Sequence, residues 1–227
     1  MNHERYSMKS QIVIGKRAVE EVLKRAPERA IQLYSVHPVE NASCPVKRLT
    51  KDELDDLTHS TSHQGIALKV TDPEPLLLDD LFDAKIIVML DSIFDPQNVG
   101  AILRAAECFG ADAIITSKNR GCPMTPTVSK ASAGASAFVP HVEVSNLAES
   151  ARRLQEEGFS LVVADMDGEE NVTWPEKIIL VMGSEGVGVQ HLLKKRADLI
   201  VRIPMYGKIA SLNVAQACAV LLDRAHR

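Results

Sequence analysis

The C-terminal part of the chain alternates short apolar runs with amphipathic stretches. Lys85–Asp91 (KIIVMLD) is a continuous apolar run of strand length. Val99–Phe109 then carries Val99, Ile102, Leu103 and Ala106 at helical spacing and meets Gly110, a residue type suited to the position just past a helix C-terminus. Ala113–Thr116 is the next strand, Leu147–Glu157 an amphipathic helix stopped by Gly158, and Ser160–Ala164 the strand after it. Ile178–Met182 and Leu199–Ile203 read as two more buried strands, separated by a short helix at Gln190–Arg196. A last apolar helix spans Leu212 to Ala225, with Ser211 as a natural N-cap. Such alternation predicts an α/β fold, a mostly parallel sheet with helices on both faces. Ligands of such sheets sit at the carboxyl ends of the strands, in the loops that follow them.

Upstream the pattern breaks. Asp72–Asp83 (DPEPLLLDDLFD) sets two prolines and five acids around a short leucine run. Proline disfavours the helical region for the residue before it, so Asp72 and Glu74 are expected to be extended. The segment reads as a linker, 73–84, between a small N-terminal unit, 1–72, and a C-terminal domain, 85–227, of ordinary domain size.

Composition excludes several classes. Of 227 residues, 45% are hydrophobic and 25% charged, as in globular proteins. No apolar run approaches the roughly 20 residues that span a bilayer. The N-terminus (MNHERYSMKS) lacks the apolar core of a signal peptide. Cys44, Cys108, Cys122 and Cys218 are scattered with no C-x-x-C pair, which argues against a disulfide framework or a zinc site and for the cytoplasm. His59 and His63 are spaced as a helical metal pair, but their Ser/Thr-rich setting (HSTSHQG) argues against that role, and no metal is expected. The formal net charge of −4 counts against a general binder of nucleic acid. It is unevenly spread, however. Residues 1–72 carry eleven basic side chains against ten acidic, and the remainder fifteen against twenty. The first 29 residues are the most basic part, with Arg5, Lys9, Lys16, Arg17, Lys24, Arg25 and Arg29 against four acids. A basic stretch is usually a solvated face, so by itself this is weak evidence for contact with RNA.

Three loops at strand ends are unusual. The first, Asp95-Pro96-Gln97-Asn98-Val99-Gly100, opens a helix, and capping explains Asp95 or Asn98. Arg104 has apolar helical neighbours, and an arginine near the first turns of a helix opposes the macrodipole. That suggests an anionic partner, a phosphate or a surface carboxylate. The second loop, Met182-Gly183-Ser184-Glu185-Gly186-Val187-Gly188, lets the backbone turn sharply and approach a ligand, yet matches neither G-x-G-x-x-G nor the P-loop. Glu185 is the residue that a simple turn explains least. In the third, Pro204 and Gly207 bracket a turn before Ser211 and Asn213; capping accounts for Ser211 and leaves Asn213 unexplained.

The trio D-P-Q-N-V-G-A-I-L-R, V-M-G-S-E-G and I-P-M-Y-G…S-L-N-V-A resembles motifs one, two and three of the SpoU/TrmH family, RNA ribose 2′-O-methyltransferases of the SPOUT class. Ser129–Pro140 (SKASAGASAFVP) is similar to the family's segment between motifs one and two. Gly15-Lys16-Arg17-Ala18-Val19 and His63-Gln64-Gly65-Ile66-Ala67 look like the ends of a SpoU-type substrate-binding domain, here with a shortened middle.

The resemblance implies S-adenosylmethionine as cofactor, a deep trefoil knot at the C-terminus, a homodimer, and RNA as substrate. Ribosomal RNA is favoured, with guanosine as the nucleotide; transfer RNA and a catalytically silent RNA-binding paralogue are the alternatives. By position, groups near Met182, Gly183, Glu185, Ile203, Met205 and Leu212 would hold the cofactor. Lys16, Arg17 and Arg104 would meet RNA. The family assigns deprotonation of the ribose hydroxyl to Arg104, with Asn98, Glu185, Ser211 and Asn213 orienting the reactants. A guanidinium ordinarily keeps its proton. An RNA phosphate fixed by Arg104 is therefore the other candidate acceptor.

Overall fold

The computed structural model describes residues 10–71 and 76–226. Arg5 and Lys9 of the basic N-terminus, the extended geometry expected at Asp72 and Glu74, and Arg227 lie outside the described residues.

Two sheets are built. The N-terminal one has strands β1 (Ser10–Ile14), β2 (Ala30–Ser35), β3 (Val46–Arg48) and β4 (Ile66–Thr71) in the order β1-β4-β2-β3. Helix α1 (Lys16–Arg25) covers one face, burying Ala18, Val19 and Val22 with Val13, Leu33, Leu68 and Val70. Helix α2 (Lys51–Thr58) sends Leu54 into the other face beside Ile14 and Ala67. Its start is a capping box: Thr50 Oγ1 accepts from the Glu53 amide while Glu53 accepts from the Thr50 amide at 2.7 Å. His59 ends α2 in the left-handed region. The His63 ring is occupied by Asp55 at 2.7 Å and by the Gly65 amide at 2.9 Å.

The larger sheet is parallel throughout. Its strands β5 (Ile86–Asp91), β6 (Ala113–Ser117), β7 (His141–Val144), β8 (Ser160–Glu169), β9 (Ile178–Gly183) and β10 (Leu199–Val201) lie in the order β10-β8-β9-β5-β6-β7. Side chains of alternate residues face opposite layers. Val88, Leu90, Leu180 and Met182 point to α3 (Pro96–Cys108) and α7 (Val214–Ala225). Ile87, Met89, Ile179 and Val181 point to α5 (Leu147–Glu156) and α6 (His191–Arg196). Both faces are covered, which is why every residue of β5 is buried and why this strand reads as an unbroken apolar run. Leu78 and Leu81, in the leucine run of the acidic segment, form a short 3-10 turn buried in the α5 layer.

Several boundaries moved for physical reasons. The last helix starts at Val214 with Asn213 as its N-cap, the Asn213 side chain accepting from the Ala215 amide at 2.9 Å; Ser211 is exposed and caps nothing. Strand β10 stops at Val201, because Ile200 pairs with Val163 but Val201 with Glu169, and β8 runs on to meet it. Strand β7 and helix α4 (Pro126–Ala131) lie where the sequence pattern names no element. Strand β7 is a short edge strand and α4 a short helix of small and polar residues, so neither builds a readable period.

Segment 132–138 joins the two units. Ala137 is buried in the small sheet's core, and Arg29 donates to the carbonyls of Thr71 and Ala137. Gly134 (φ +91) comes so near α1 that a Cβ would sit 3.0 Å from the Ala18 carbonyl oxygen.

Candidate functional site

The three loops meet at Asn213. Its Nδ2 donates to Asn98 Oδ1 at 2.8 Å and to Glu185 Oε1 at 3.1 Å, while its Oδ1 caps α7. One amide therefore uses both ends, and the segment after β10 is tied to the start of α3 and to the loop after β9. Asp95, not Asn98, caps α3, accepting from Gln97 at 2.9 Å with Pro96 at the first helical position. Asn98 is thereby left to face the other two loops. Asn213→Ala is expected to cost about 1 kcal/mol through the lost cap. That lowers the melting temperature by roughly 2–4 °C in a chain this size. Asn213→Asp retains the cap acceptor but not the donated bonds, so calorimetry on the pair separates the two roles.

The loop after β9 is a tight turn held from both ends. The Gly188 amide donates to the Ser184 carbonyl at 2.9 Å, and a Cβ on Gly183 would lie 2.3 Å from the Gly188 carbonyl carbon. Gly186 and Gly188 have φ of +88 and +72, the left-handed region where glycine is least strained. Beyond the turn, the Gln190 amide donates to Asp91 Oδ2 at 2.7 Å, and its side-chain amide donates to Asp91 Oδ1. Asp91 is fully buried at the end of β5, and Ser92 Oγ supplies a further donor at 3.0 Å. A buried carboxylate is tolerable only when so satisfied. Asp91 thus anchors the loop to the central strand.

The segment 203–212 runs from the sheet edge back towards α3. Among the described residues it makes no main-chain hydrogen bond, so its N–H and C=O groups remain available. Ile203 and Met205 are half-buried, Leu212 more open, and Tyr206 and Ile209 exposed. Met182 lies in the core, so only its main chain can serve a ligand.

Arg104 is not in the Asn213 cluster. It sits six residues beyond Asn98, in the third turn of α3, past the turn where the macrodipole acts; that argument for an anionic partner therefore falls. Geometry restores it. Arg104 is exposed, forms no ion pair or hydrogen bond among the described residues, and lines a cleft of about 400 Å³ between α3, α1 and segment 132–138. The opposite wall carries Arg17 and Arg25. Arg25 is held by Glu21 at 2.8 Å and by Glu107 of α3 at 3.0 Å, whereas Arg17 has no carboxylate partner among the described residues. With Glu21 and Glu107 taken up by Arg25, the cleft offers two free guanidinium groups beside one carboxylate, Glu20, that has no ion pair among the described residues. Lys16 does not line it; the Lys16 amide donates to Gln64 Oε1 at 2.9 Å, which brings together the two ends of the small domain singled out in the sequence.

Arg104 and Arg17 share one cleft, and Asn98, Glu185 and Asn213 share a hydrogen-bonded cluster. Ser211 stands exposed near that cluster in sequence, with no side-chain hydrogen bond among the described residues. Sequence reasoning missed Asp91 and Gln190. The available signal was an acid closing an otherwise apolar strand.

A model of the SpoU rRNA Methylase family matches residues 85–223, and a model for RNA 2′-O ribose methyltransferase substrate binding matches residues 12–76. The 23S rRNA (guanosine-2′-O-)-methyltransferase RlmB of Vibrio vulnificus is 34% identical, covering 97% of this chain and 98% of that protein. Its Escherichia coli counterpart is 31% identical over 96% and 98%. An AdoMet-bound rRNA methyltransferase structure from Sinorhizobium meliloti superimposes with a TM-score of 0.78 at 23% identity, covering 96% of this chain and 87% of that one.

Proposed function

The chain belongs to the SpoU rRNA methylase family, and from that premise we propose how its residues transfer a methyl group from S-adenosylmethionine to a ribose hydroxyl. It is an RNA ribose 2′-O-methyltransferase, and ribosomal RNA is its substrate class. We infer guanosine of the large-subunit RNA as the nucleotide, from relatives so named that match nearly the whole chain.

The observation that carries the reading is the Asn98–Asn213–Glu185 cluster, which gathers all three motif loops at the carboxyl ends of β5, β9 and β10. The cofactor fits the groups present there. Unbonded main chain at 203–212 suits the polar edge of adenine, and Ile203, Met205 and Leu212 supply apolar contact. The close approach of Gly183 to Gly188 makes a narrow wall beside them. When bound, S-adenosylmethionine supplies an electrophilic methyl group on a sulfonium. Glu185, fixed by Asn213, orients the ribose side of the site together with Asn98 and Ser211. Arg104 grips the phosphate beside the target ribose and stabilises the alkoxide as the hydroxyl proton leaves. The phosphate that Arg104 positions beside the ribose is the proton acceptor in this reading, so the guanidinium need not lose its own proton.

We also propose the trefoil knot and the homodimer. Segment 202–213 leaves edge strand β10 and returns across the 184–189 loop to α3 near the sheet centre, the course a knotted chain takes. Phe94, Val187, Tyr206 and Ile209 are large exposed apolar side chains in the three loops, a surface suited to a second copy. Light scattering is expected to give about twice the 24.8 kDa chain mass. Residues 1–72 act as the RNA-binding unit, 73–84 as the linker and 85–227 as the methyltransferase domain. No helix among the described residues is long and apolar enough to cross a membrane, and the site of action is the ribosome-bearing cytoplasm.

Arg17→Ala is expected to weaken binding of ribosomal RNA roughly tenfold, the scale of one charge-assisted bond, with turnover at saturating RNA preserved. Filter binding and steady-state kinetics check this. The reading as a whole is tested by mapping 2′-O-methyl groups in total RNA with and without the enzyme, and by calorimetric titration with S-adenosylmethionine. A chain that binds no cofactor at high micromolar concentration is a binding paralogue instead.

A further inference from the structure

A second cleft, of about 310 Å³, opens at the carboxyl ends of β6 and β7, on the far side of Asp91 from the Asn213 cluster. Ser117, Asn119, Arg120, Ser145, Asn146 and Gln190 give it a polar lining, and no carboxylate is among its lining residues. That absence matters in an acidic domain where Arg152, Arg153 and Arg202 are each held by an acid. Arg120 has one partner among the described residues, the neutral side-chain oxygen of Gln190, to which it donates at 3.3 Å. Lys118, on the same loop, is exposed, and its ammonium group forms no ion pair among the described residues. The first turn of α5 borders the cleft with Leu147 and Ala148, adding the positive end of a helix; the acid of that turn, Glu149, is turned outward onto Arg152 at 2.8 Å.

We propose that this cleft binds a phosphodiester of the RNA strand flanking the methylated nucleotide, with Arg120 as the anion's ligand and Asn119, Ser145 and Asn146 as further donors. The proposal rests on the methyltransferase reading and adds a subsite to it. Planar guanidinium with adjacent hydroxyl and amide donors is chemistry that matches a phosphate. The position suits a neighbouring nucleotide, because β6 and β7 lie one and two strands from β5, about 5 and 10 Å. The wiring suits it too. Gln190 receives Arg120 on its side-chain oxygen while its two N–H groups hold Asp91, and Gln190 directly follows the 184–189 loop. A phosphate in the cleft competes for Arg120 without disturbing the Asp91 anchor.

The test uses the full chain and an in vitro transcript of large-subunit ribosomal RNA. Arg120→Ala is expected to weaken RNA binding about tenfold. The slope of log affinity against log salt should become shallower by about one. KM for RNA rises with kcat and S-adenosylmethionine affinity unchanged, and Arg120→Lys recovers the salt slope. Arg120 is exposed, so neither variant threatens the fold. Wild-type affinity and salt slope in Arg120→Ala would overturn the subsite alone. A wild-type chain that neither binds nor methylates the transcript overturns the methyltransferase reading, and the subsite with it.

Discussion

Arg104→Ala lowers methylation of ribosomal RNA by about a thousandfold, the scale on which a donor aimed at a developing oxyanion acts. S-adenosylmethionine binding and the melting temperature are expected to stay at wild-type values. Arg104 is exposed on α3 and holds no partner among the described residues, so its removal leaves no buried group unsatisfied. Surface substitutions of that kind shift stability by no more than about 0.5 kcal/mol. The Asn98–Asn213–Glu185 bonds form without Arg104, so its removal leaves the cofactor's neighbours in place. Arg104→Lys keeps the charge but not the planar fork, and should recover RNA affinity better than turnover. Single-turnover methylation with titrations of both ligands reads all of these. Near-normal methylation by the alanine variant would remove Arg104 from the reaction.

Gly183→Ala abolishes cofactor binding through sterics alone. Its added Cβ meets only backbone: the Gly188 carbonyl carbon at 2.3 Å, the Val189 nitrogen at 2.4 Å and the Gly188 oxygen at 2.5 Å. Backbone pinned on both sides cannot step aside as a flexible side chain can. The turn must open, and with it go the Glu185–Asn213 bond and the entry into the Gln190–Asp91 anchor. Overpacking of this kind costs about 1–3 kcal/mol or more. The melting temperature is expected to fall by roughly 3–10 °C at that cost. Two other glycines calibrate the effect. A Cβ on Gly186 meets nothing within 4 Å, but φ is +88, so Gly186→Ala costs about 1 kcal/mol through backbone strain. Gly207 has open space and no positive φ, and Gly207→Ala is expected to leave the fold unchanged. Equal losses in all three variants would show that loop mobility, not close approach, is what these glycines serve.

The parallel domain was legible because its central strands are buried on both faces. Ile86–Asp91 and Ile178–Gly183 read as unbroken apolar runs for that reason. The order of motifs along the chain was equally visible, and it led to the family. Elements whose pattern is too short to carry a period stayed hidden, as β7 and α4 did. Capping chemistry misled at the last helix, where Ser211 and Asn213 are both good caps and local preference has no means to choose. Asn213 takes the role because its other end is claimed by Asn98 and Glu185, residues 115 and 28 positions away.

Hydrophobic pattern and local backbone preference are properties of neighbouring residues, so the chain's own order carries the α/β layering, the glycine-rich turns and the identity of the chemistry-bearing side chains. Partnership across the fold is a different kind of fact. That Asp91 anchors Gln190, and that Arg104 faces Arg17 of another sheet's helix, depends on which strands lie side by side. The same holds for Arg25, taken up by Glu107 while Arg17 and Arg104 are left free for an anion. Strand order β10-β8-β9-β5-β6-β7 is set by packing both faces of one sheet at once, an energy summed over contacts far apart in sequence.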